Sequence, residues 1–178
     1  MKIFIITVSI AQLVAWFCFF TSGFQFNPST TSISTLEKRT ADVQFNQGAN
    51  GGGAQRRCND ISYTPGKPED KIWGVDCDAL LANKTDLHGI YMFQDWKFDG
   101  EYSMLWSYGT CNIGVYRSDQ KNSYTQVGDD DLRTIITYCN KYLRSSYTMV
   151  KTVTGTMSCA GLQGDGNAAM NWTLRAGS

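Results

Sequence analysis

Histidine is nearly absent from this chain, since His88 is the only one among 178 residues. Catalytic triads and histidine metal sites are therefore nearly excluded. A ribonuclease-like group of His88, Glu101 and Arg117 is the arrangement that remains, and nothing in the spacing of these residues requires it. We therefore predict no catalytic residue, no cofactor and no metal ligand, and a protein that is not an enzyme.

The chain also lacks an excess of charge, with 16 Lys and Arg side chains against 16 Asp and Glu side chains. Phosphate binding needs clustered cations, and no such cluster is visible, so nucleic acid is not an expected partner. Asp129, Asp130 and Asp131 are consecutive. We interpret them as the start of a helix rather than as a metal site, because the helix dipole favours negative charge there.

The first 23 residues have the three parts of a signal peptide. Lys2 is followed by an apolar run from Ile3 to Phe20, and small residues end at Gly23, the expected cleavage position. A membrane anchor is the alternative, but the run starts at the terminus and has no basic flank after it. We expect a secreted, extracellular protein whose mature form has no integral membrane segment.

Residues 24–57 are polar and low in complexity, which predicts a disordered leader or propeptide. Two dibasic pairs end at Arg39 and Arg57 and resemble kexin-type processing sites. We favour cleavage after Arg39 and leave cleavage after Arg57 open. Residues 58–178 then form one domain that is large enough for a hydrophobic core.

Five cysteines follow the leader, which itself contains Cys18. In a small secreted domain such cysteines indicate disulfides, and four of them allow three connectivities that the sequence cannot separate. We favour a bridge between Cys111 and Cys159, which are expected in neighbouring strands, and one between Cys58 and Cys77. Cys139 falls on the apolar stripe of a helix and is expected to be a free, buried thiol. The alternative is an intermolecular bridge or a reactive thiol, whereas we expect a monomer.

The periodicity of the domain predicts a helix, a hairpin, a strand, a second helix and two further strands. The hairpin joins His88–Phe98 to Glu101–Tyr108 through the Asp99-Gly100 turn. The second helix runs from Asp129 to Leu143. The fold class is therefore α+β: a disulfide-stabilised antiparallel sheet of about four strands with two helices packed on one face.

The tryptophans and two asparagines are further candidates for surface sites. The tryptophans at 73, 96, 106 and 172 could form a platform for sugars, but in a small domain they are more often core residues. Asn83 and Asn171 begin glycosylation sequons. The Asn83 sequon lies in an expected loop and the Asn171 sequon in an expected strand.

The order of short motifs resembles a known family. These are Cys58-Asn59-Asp60, Asp76-Cys77, Tyr108-Gly109-Thr110-Cys111, Met157-Ser158-Cys159 and Trp172-Thr173-Leu174. Together they resemble the fungal necrosis-inducing factor domain, the homologues of the secreted effector Ecp-two, over nearly all of 58–178.

The resemblance implies a secreted fungal virulence effector that triggers plant cell death, with no established catalytic residue. The host apoplast is the expected location, and action inside host cells is left open. We expect it to bind an unknown host protein or cell-surface component. The alternatives are a killer-toxin-like antimicrobial or membrane-active toxin and a small secreted hydrolase or ribonuclease. The departures from the family pattern, such as the extra Cys139, leave retention of cell-death activity open.

Overall fold

A computed structural model describes residues 41–48, 51–66, 71–144, 149–161 and 166–177. These residues all belong to one compact unit, 36–178. The predictions for the signal peptide, its cleavage at Gly23, Cys18 and processing at Arg39 lie outside the described residues.

The described chain contains two helices and eleven strands. The helices are α1 (Gly74–Asn83) and α2 (Asp129–Tyr142). The longer strands are β1 (Asp42–Gln47), β5 (Gly89–Gln94), β6 (Ser103–Tyr108), β7 (Cys111–Arg117), β8 (Thr125–Gly128), β10 (Val153–Ala160) and β11 (Asn167–Arg175). The two-residue strands are β2 (Cys58–Asn59), β3 (Thr64–Pro65), β4 (Ile72–Trp73) and β9 (Met149–Val150).

The strands form three antiparallel sheets. The largest, here called the main sheet, has the order β2-β10-β11-β7-β6, and β3 also pairs with β10. A second sheet has the order β1-β5-β8, and a third pairs β4 with β9. The α+β class with two helices and antiparallel sheets is confirmed. The prediction of one sheet of about four strands gives too few sheets and too few strands.

The predicted hairpin is wrong because its two arms belong to different sheets. β5 pairs with β1 and β8, whereas β6 pairs with β7. The chain leaves β5 at Asp95, whose φ of 52° is left-handed, and the next backbone N–H, of Trp96, donates to Asn122 at 2.9 Å. The Asp99-Gly100 turn is present, but it connects two sheets instead of closing a hairpin.

Most of the predicted core residues are buried. Leu132, Ile135 and Ile136 of α2 are fully inaccessible, as the helical stripe predicts. Trp106 and Trp172 are also buried, whereas the Trp73 side chain is 44 % exposed. The tryptophans therefore do not form a shared platform for sugars.

The disulfides use the four predicted cysteines in a different pairing. Cys58 is bonded to Cys159, and Cys77 to Cys111. The favoured Cys111–Cys159 bridge is wrong because β11 lies between β7 and β10, which places these cysteines two strands apart. That separation of about 10 Å exceeds disulfide reach. The Cys58–Cys77 bridge is wrong for a related reason: Cys58 lies in β2, directly opposite Cys159.

The expected disorder of residues 24–57 is wrong for part of that segment. β1 pairs with β5 along its whole length, with Val43 opposite Phe93 and Phe45 opposite Tyr91. The rings of Phe45 and Tyr91 have centroids 4.6 Å apart. Alternating Val43 and Phe45 were the sequence signal for this strand, and they lie in a polar stretch that obscures it.

Candidate binding surface on the main sheet

Alternation along the strands gives the main sheet one buried face. Ile113 and Val115 of β7, and Trp172 and Leu174 of β11, are fully buried. The intervening side chains point the opposite way, because successive residues of a strand alternate between faces. We call the surface that they form the open face. It comprises Asn59, Thr64, Met104, Ser107, Asn112, Tyr116, Thr154, Thr156, Ser158, Ala169, Asn171, Thr173 and Arg175.

A continuous row of polar side chains crosses the open face. Tyr116 lies opposite Asn171, and Asn171 lies opposite Thr156. At one end the hydroxyl of Ser62 is 2.8 Å from that of Thr156. At the other end the ring centroids of Tyr102 and Tyr116 are 6.1 Å apart. At about 4.8 Å between strands, the row is about 20 Å long.

The chemistry of the open face is neutral and rich in hydrogen-bonding groups. Apart from Arg175, its members are hydroxyls, amides and the phenol of Tyr116, with Met104 and Ala169 as apolar exceptions. Among the described strand residues on this face, Arg175 alone carries a charge. Such a surface suits a partner that offers many hydroxyl or amide groups rather than a large apolar patch.

A cavity of about 310 Å³ lies at one corner of the open face. It is lined by Met104, Ser107, Gly109, Asn112, Arg175, Ala176 and Gly177. We call it the corner cavity. Three of its side chains form one cross-strand row, since Asn112 lies opposite both Ser107 and Arg175.

Asn112 supplies an unsatisfied donor in the corner cavity. Its side chain is only 6 % exposed, and its Oδ1 accepts a hydrogen bond from the Ser107 hydroxyl. Its Nδ2 has no hydrogen-bond partner. A buried donor without a partner costs about 1–3 kcal/mol, so an acceptor that reached Asn112 Nδ2 from the cavity would be stabilised there.

Arg175 brings positive charge to the same place. Its Nη2 lies 3.7 Å from the Met104 sulfur. Burial raises the pKa of the Tyr102 phenol, and the Arg175 guanidinium opposes part of that rise. The charge of Arg175 therefore reaches both the corner cavity and the row of polar side chains.

The second polar cluster of the molecule anchors the chain before β2 to the start of α2. Asp129 Oδ1 accepts the N–H groups of Gln55 and Gly89 at 2.8 and 3.1 Å. Asp131 Oδ2 accepts those of Arg57 and Cys58 at 2.8 and 3.1 Å. The aspartates were predicted as helix-terminal charges. Asp131 does cap α2 through the N–H of Gly128, but the anchoring of residues 55–58 was missed.

The two aspartates differ in acidity. Both are fully buried, and burial favours the protonated form of each. At Asp129 the hydrogen bonds from Gln55, Gly89, His88 and Arg133 outweigh burial and lower the pKa. At Asp131 burial outweighs its three backbone hydrogen bonds and raises the pKa. The Oδ1 of Asp131 has no hydrogen-bond partner, which is consistent with that balance.

The residues considered for a ribonuclease-like site have other partners. His88 Nδ1 is 3.3 Å from Asp129 Oδ2. Arg117 is buried and forms an ion pair of 2.6 Å with Asp119. It also donates to the carbonyl of Ser123. These contacts give Arg117 a structural role in holding the 118–124 loop.

The remaining predicted residues lie as follows. Cys139 is a free, fully buried thiol. Asn83 is exposed at the end of α1, and Asn171 is half-buried at the centre of the open face. In the described part of the chain, no three His, Cys, Asp or Glu side chains are grouped as a metal site would require. Neither described helix is long and apolar enough to cross a membrane.

Sequence reasoning missed the open face, although its signal was present. Thr154, Thr156 and Ser158 alternate with Met157 and Cys159, and Asn171 and Thr173 alternate with apolar residues in β11. Such alternation predicts a strand with one polar face. The order of the strands, which joins these polar positions into one surface, is not readable from the alternation.

The fold and its surfaces define a small disulfide-bonded α+β protein with an exposed, neutral sheet face. The chain belongs to the Hce2 family, described as pathogen effectors and suspected necrosis-inducing factors, whose model matches residues 57–159. This confirms the resemblance. The match begins at the anchored segment before β2 and ends at Cys159, so β11 lies beyond it. No curated protein matches the chain.

Proposed function

We propose that this pathogen effector is secreted and triggers plant cell death by binding a host component through its open face. The observation that carries the proposal is the neutral polar row from Tyr102 to Ser62, which is exposed or half-buried along its length. Family membership and two disulfides support action outside the cell.

The open face has features of a recognition surface. Its polar groups are carried by paired strands, so they are held in fixed positions and little ordering entropy is lost on binding. The tyrosines offer rigid contact area at low entropic cost. A rigid array of donors and acceptors can therefore select a partner by geometry rather than by net charge.

A charge introduced on the open face, next to the polar row, tests the proposal. Thr154 is half-buried on this face, and Thr154→Arg would place a cation and a long side chain on the neutral surface. We expect cell death in a responsive plant to need at least about tenfold more protein, because a desolvated, unpaired charge opposes binding. Circular dichroism and the melting temperature must match the wild type.

Thr137→Arg is the matched control. Thr137 is exposed on α2, which contacts β5 and β8. The same substitution there should leave cell death within about twofold, a change of less than 1 kcal/mol. If folded Thr154→Arg protein kills as well as the wild type, the open face is not the binding surface.

One observation favours a second candidate, a small hydrolase. The buried Asp129 carboxylate lies 3.3 Å from His88 Nδ1, and an aspartate in this position can orient an imidazole as a general base. We expect His88→Ala to keep cell-death activity within about threefold, because the imidazole is not part of the open face. A folded but inert His88→Ala protein would favour the hydrolase.

A further inference from the structure

We propose that the corner cavity binds the carboxylate of a uronate residue, within a glycan that lies across the open face. This deepens the proposed function and rests on it. The ligand class is therefore an acidic sugar in a hydroxyl-rich chain.

The carboxylate preference follows from the donors of the corner cavity. Arg175 supplies a guanidinium, and Asn112 Nδ2 supplies a buried N–H donor without a partner. The described residues that line the cavity include no acidic side chain. A carboxylate would pair with both groups, and hydrogen bonds to a charged partner are stronger than those between neutral groups.

The shape of the corner cavity limits what can enter. A Cβ added at Gly177 would lie 2.7 Å from Asn112 Nδ2, so residue 177 packs closely against the unsatisfied donor and a side chain there would displace the amide. The volume of about 310 Å³ is at the lower end of the range for small-ligand sites. It suits one sugar residue rather than a large group.

The surface next to the corner cavity favours a sugar over a peptide. The row of Tyr116, Asn171 and Thr156 crosses the same face of the same strands. Sugar hydroxyls both donate and accept, as do the amide and hydroxyl groups of this row. Sugar C–H faces also pack on phenol rings. A peptide with a free C-terminal carboxylate would need apolar pockets for its side chains, which the neutral polar row does not offer.

The test is calorimetric titration of the secreted protein, expressed without glycan at Asn171, with two hexamers. One is a hexamer of galacturonic acid and the other is a neutral hexamer of glucose. We expect the acidic hexamer to bind at least about tenfold more tightly, since one paired charge is worth about 1.4 kcal/mol or more. Equal affinity for the two, or no binding of the acidic hexamer at millimolar concentration, overturns the proposal.

Three variants assign the binding to the corner cavity. Arg175→Gln removes the charge, and Gly177→Leu crowds the Asn112 amide at the cavity wall while the charge remains. Each should weaken acidic-hexamer binding by about tenfold or more, whereas Lys97→Ala, at an exposed position that belongs to neither the open face nor the corner cavity, should change it by less than about twofold. Gly177→Leu lies beyond the last strand and keeps the sheet intact, so it tests the cavity even if Arg175→Gln lowers stability.

Other results separate this inference from the proposed function. If a peptide ending in a free carboxylate competes better than the acidic hexamer, the ligand is a protein and the glycan assignment is wrong. If Lys97→Ala loses as much binding as Arg175→Gln, the acidic hexamer is attracted by positive charge in general. That result would also overturn the assignment of the carboxylate to the corner cavity. If Thr154→Arg abolishes cell death but the acidic hexamer does not bind, the open face keeps its function and only this inference fails.

Discussion

Cys139 is the free thiol of the described chain, and its surroundings keep it unreactive. It is fully buried in α2, and burial raises the pKa of its thiol to about 12. The thiolate is the reactive form, so the native protein should not react with a thiol reagent at about pH 8, whereas the unfolded protein with intact disulfides should react once. Mass spectrometry after labelling measures this.

Cys139→Ala is the companion variant. Loss of one buried sulfur should lower the free energy of unfolding by about 1–2 kcal/mol and leave cell death unchanged, because the site is far from solvent. Rapid labelling of the native wild type would contradict the burial of this thiol.

At the residue scale, the sequence predicts which way a side chain points better than what it contacts. Cys139 lies on a stripe of period 3.6, so its burial was predictable. Cys111 and Cys159 were both correctly predicted to lie in strands, but the bridge between them was not correct, because β11 separates their strands. A face can be deduced from local alternation, whereas a partner depends on the order of strands.

The start of α2 is the element whose stability should depend most clearly on pH. The pKa of Asp129 is lowered, so its ionised form stabilises the fold fully above the ordinary pKa of 3.8. This stabilisation is lost as pH falls through the lowered pKa of the folded state. Asp129→Asn should therefore cost about 2 kcal/mol or more at neutral pH, and the difference from the wild type should shrink in acid. Thermal unfolding across pH checks this.

Asp131→Asn is a control for which the pH dependence of the stability difference has the opposite sign. The pKa of Asp131 is raised, so in the wild type its ionisation costs stability as pH rises from 3.8 toward the raised pKa. The difference between wild type and Asp131→Asn should therefore shrink as pH rises through this range. Parallel pH profiles for the two variants would contradict the assigned directions.

At the element scale, the helices were the most predictable parts. α2 was predicted from Asp129 to Leu143 and ends at Tyr142. α1 begins at Gly74, and the carboxylate of Asp76 in its first turn accepts the N–H and hydroxyl of Thr110. β5 and β6 were both found as strands, but their separation into two sheets depends on contacts that lie far away in sequence.

At the scale of the whole molecule, residues 55–58 fasten the chain before β2 to α2 and to the main sheet. They are held by Asp129 and Asp131 of α2, and Cys58 is bonded to Cys159 of β10. The low complexity of 24–57 concealed this role, because backbone N–H groups, rather than distinctive side chains, make the hydrogen bonds. The same contacts bear on which dibasic pair is processed.

The Arg56-Arg57 pair should resist cleavage in the folded protein. The Cys58 N–H, which belongs to the peptide bond that would be cut, donates to Asp131, and so does the Arg57 N–H one peptide earlier. The Arg56 guanidinium is 3.0 Å from the Asp130 carboxylate. A protease needs an extended, accessible segment, so the contacts around Arg57 oppose binding in its active site. We therefore expect a mature N-terminus before Asp42, which retains β1, as mass spectrometry of the secreted protein will show.

Exposure of the folded protein to a kexin-type protease completes the test. We expect no cut after Arg57 in the wild type. Asp131→Asn should be cut there at least about tenfold faster, because weakening this anchor by about 1.4 kcal/mol or more raises the open population by that factor. Lys97→Ala should be as resistant as the wild type. A secreted form that begins at Cys58 would show that β1 is dispensable and that the anchor at Asp131 does not protect the pair.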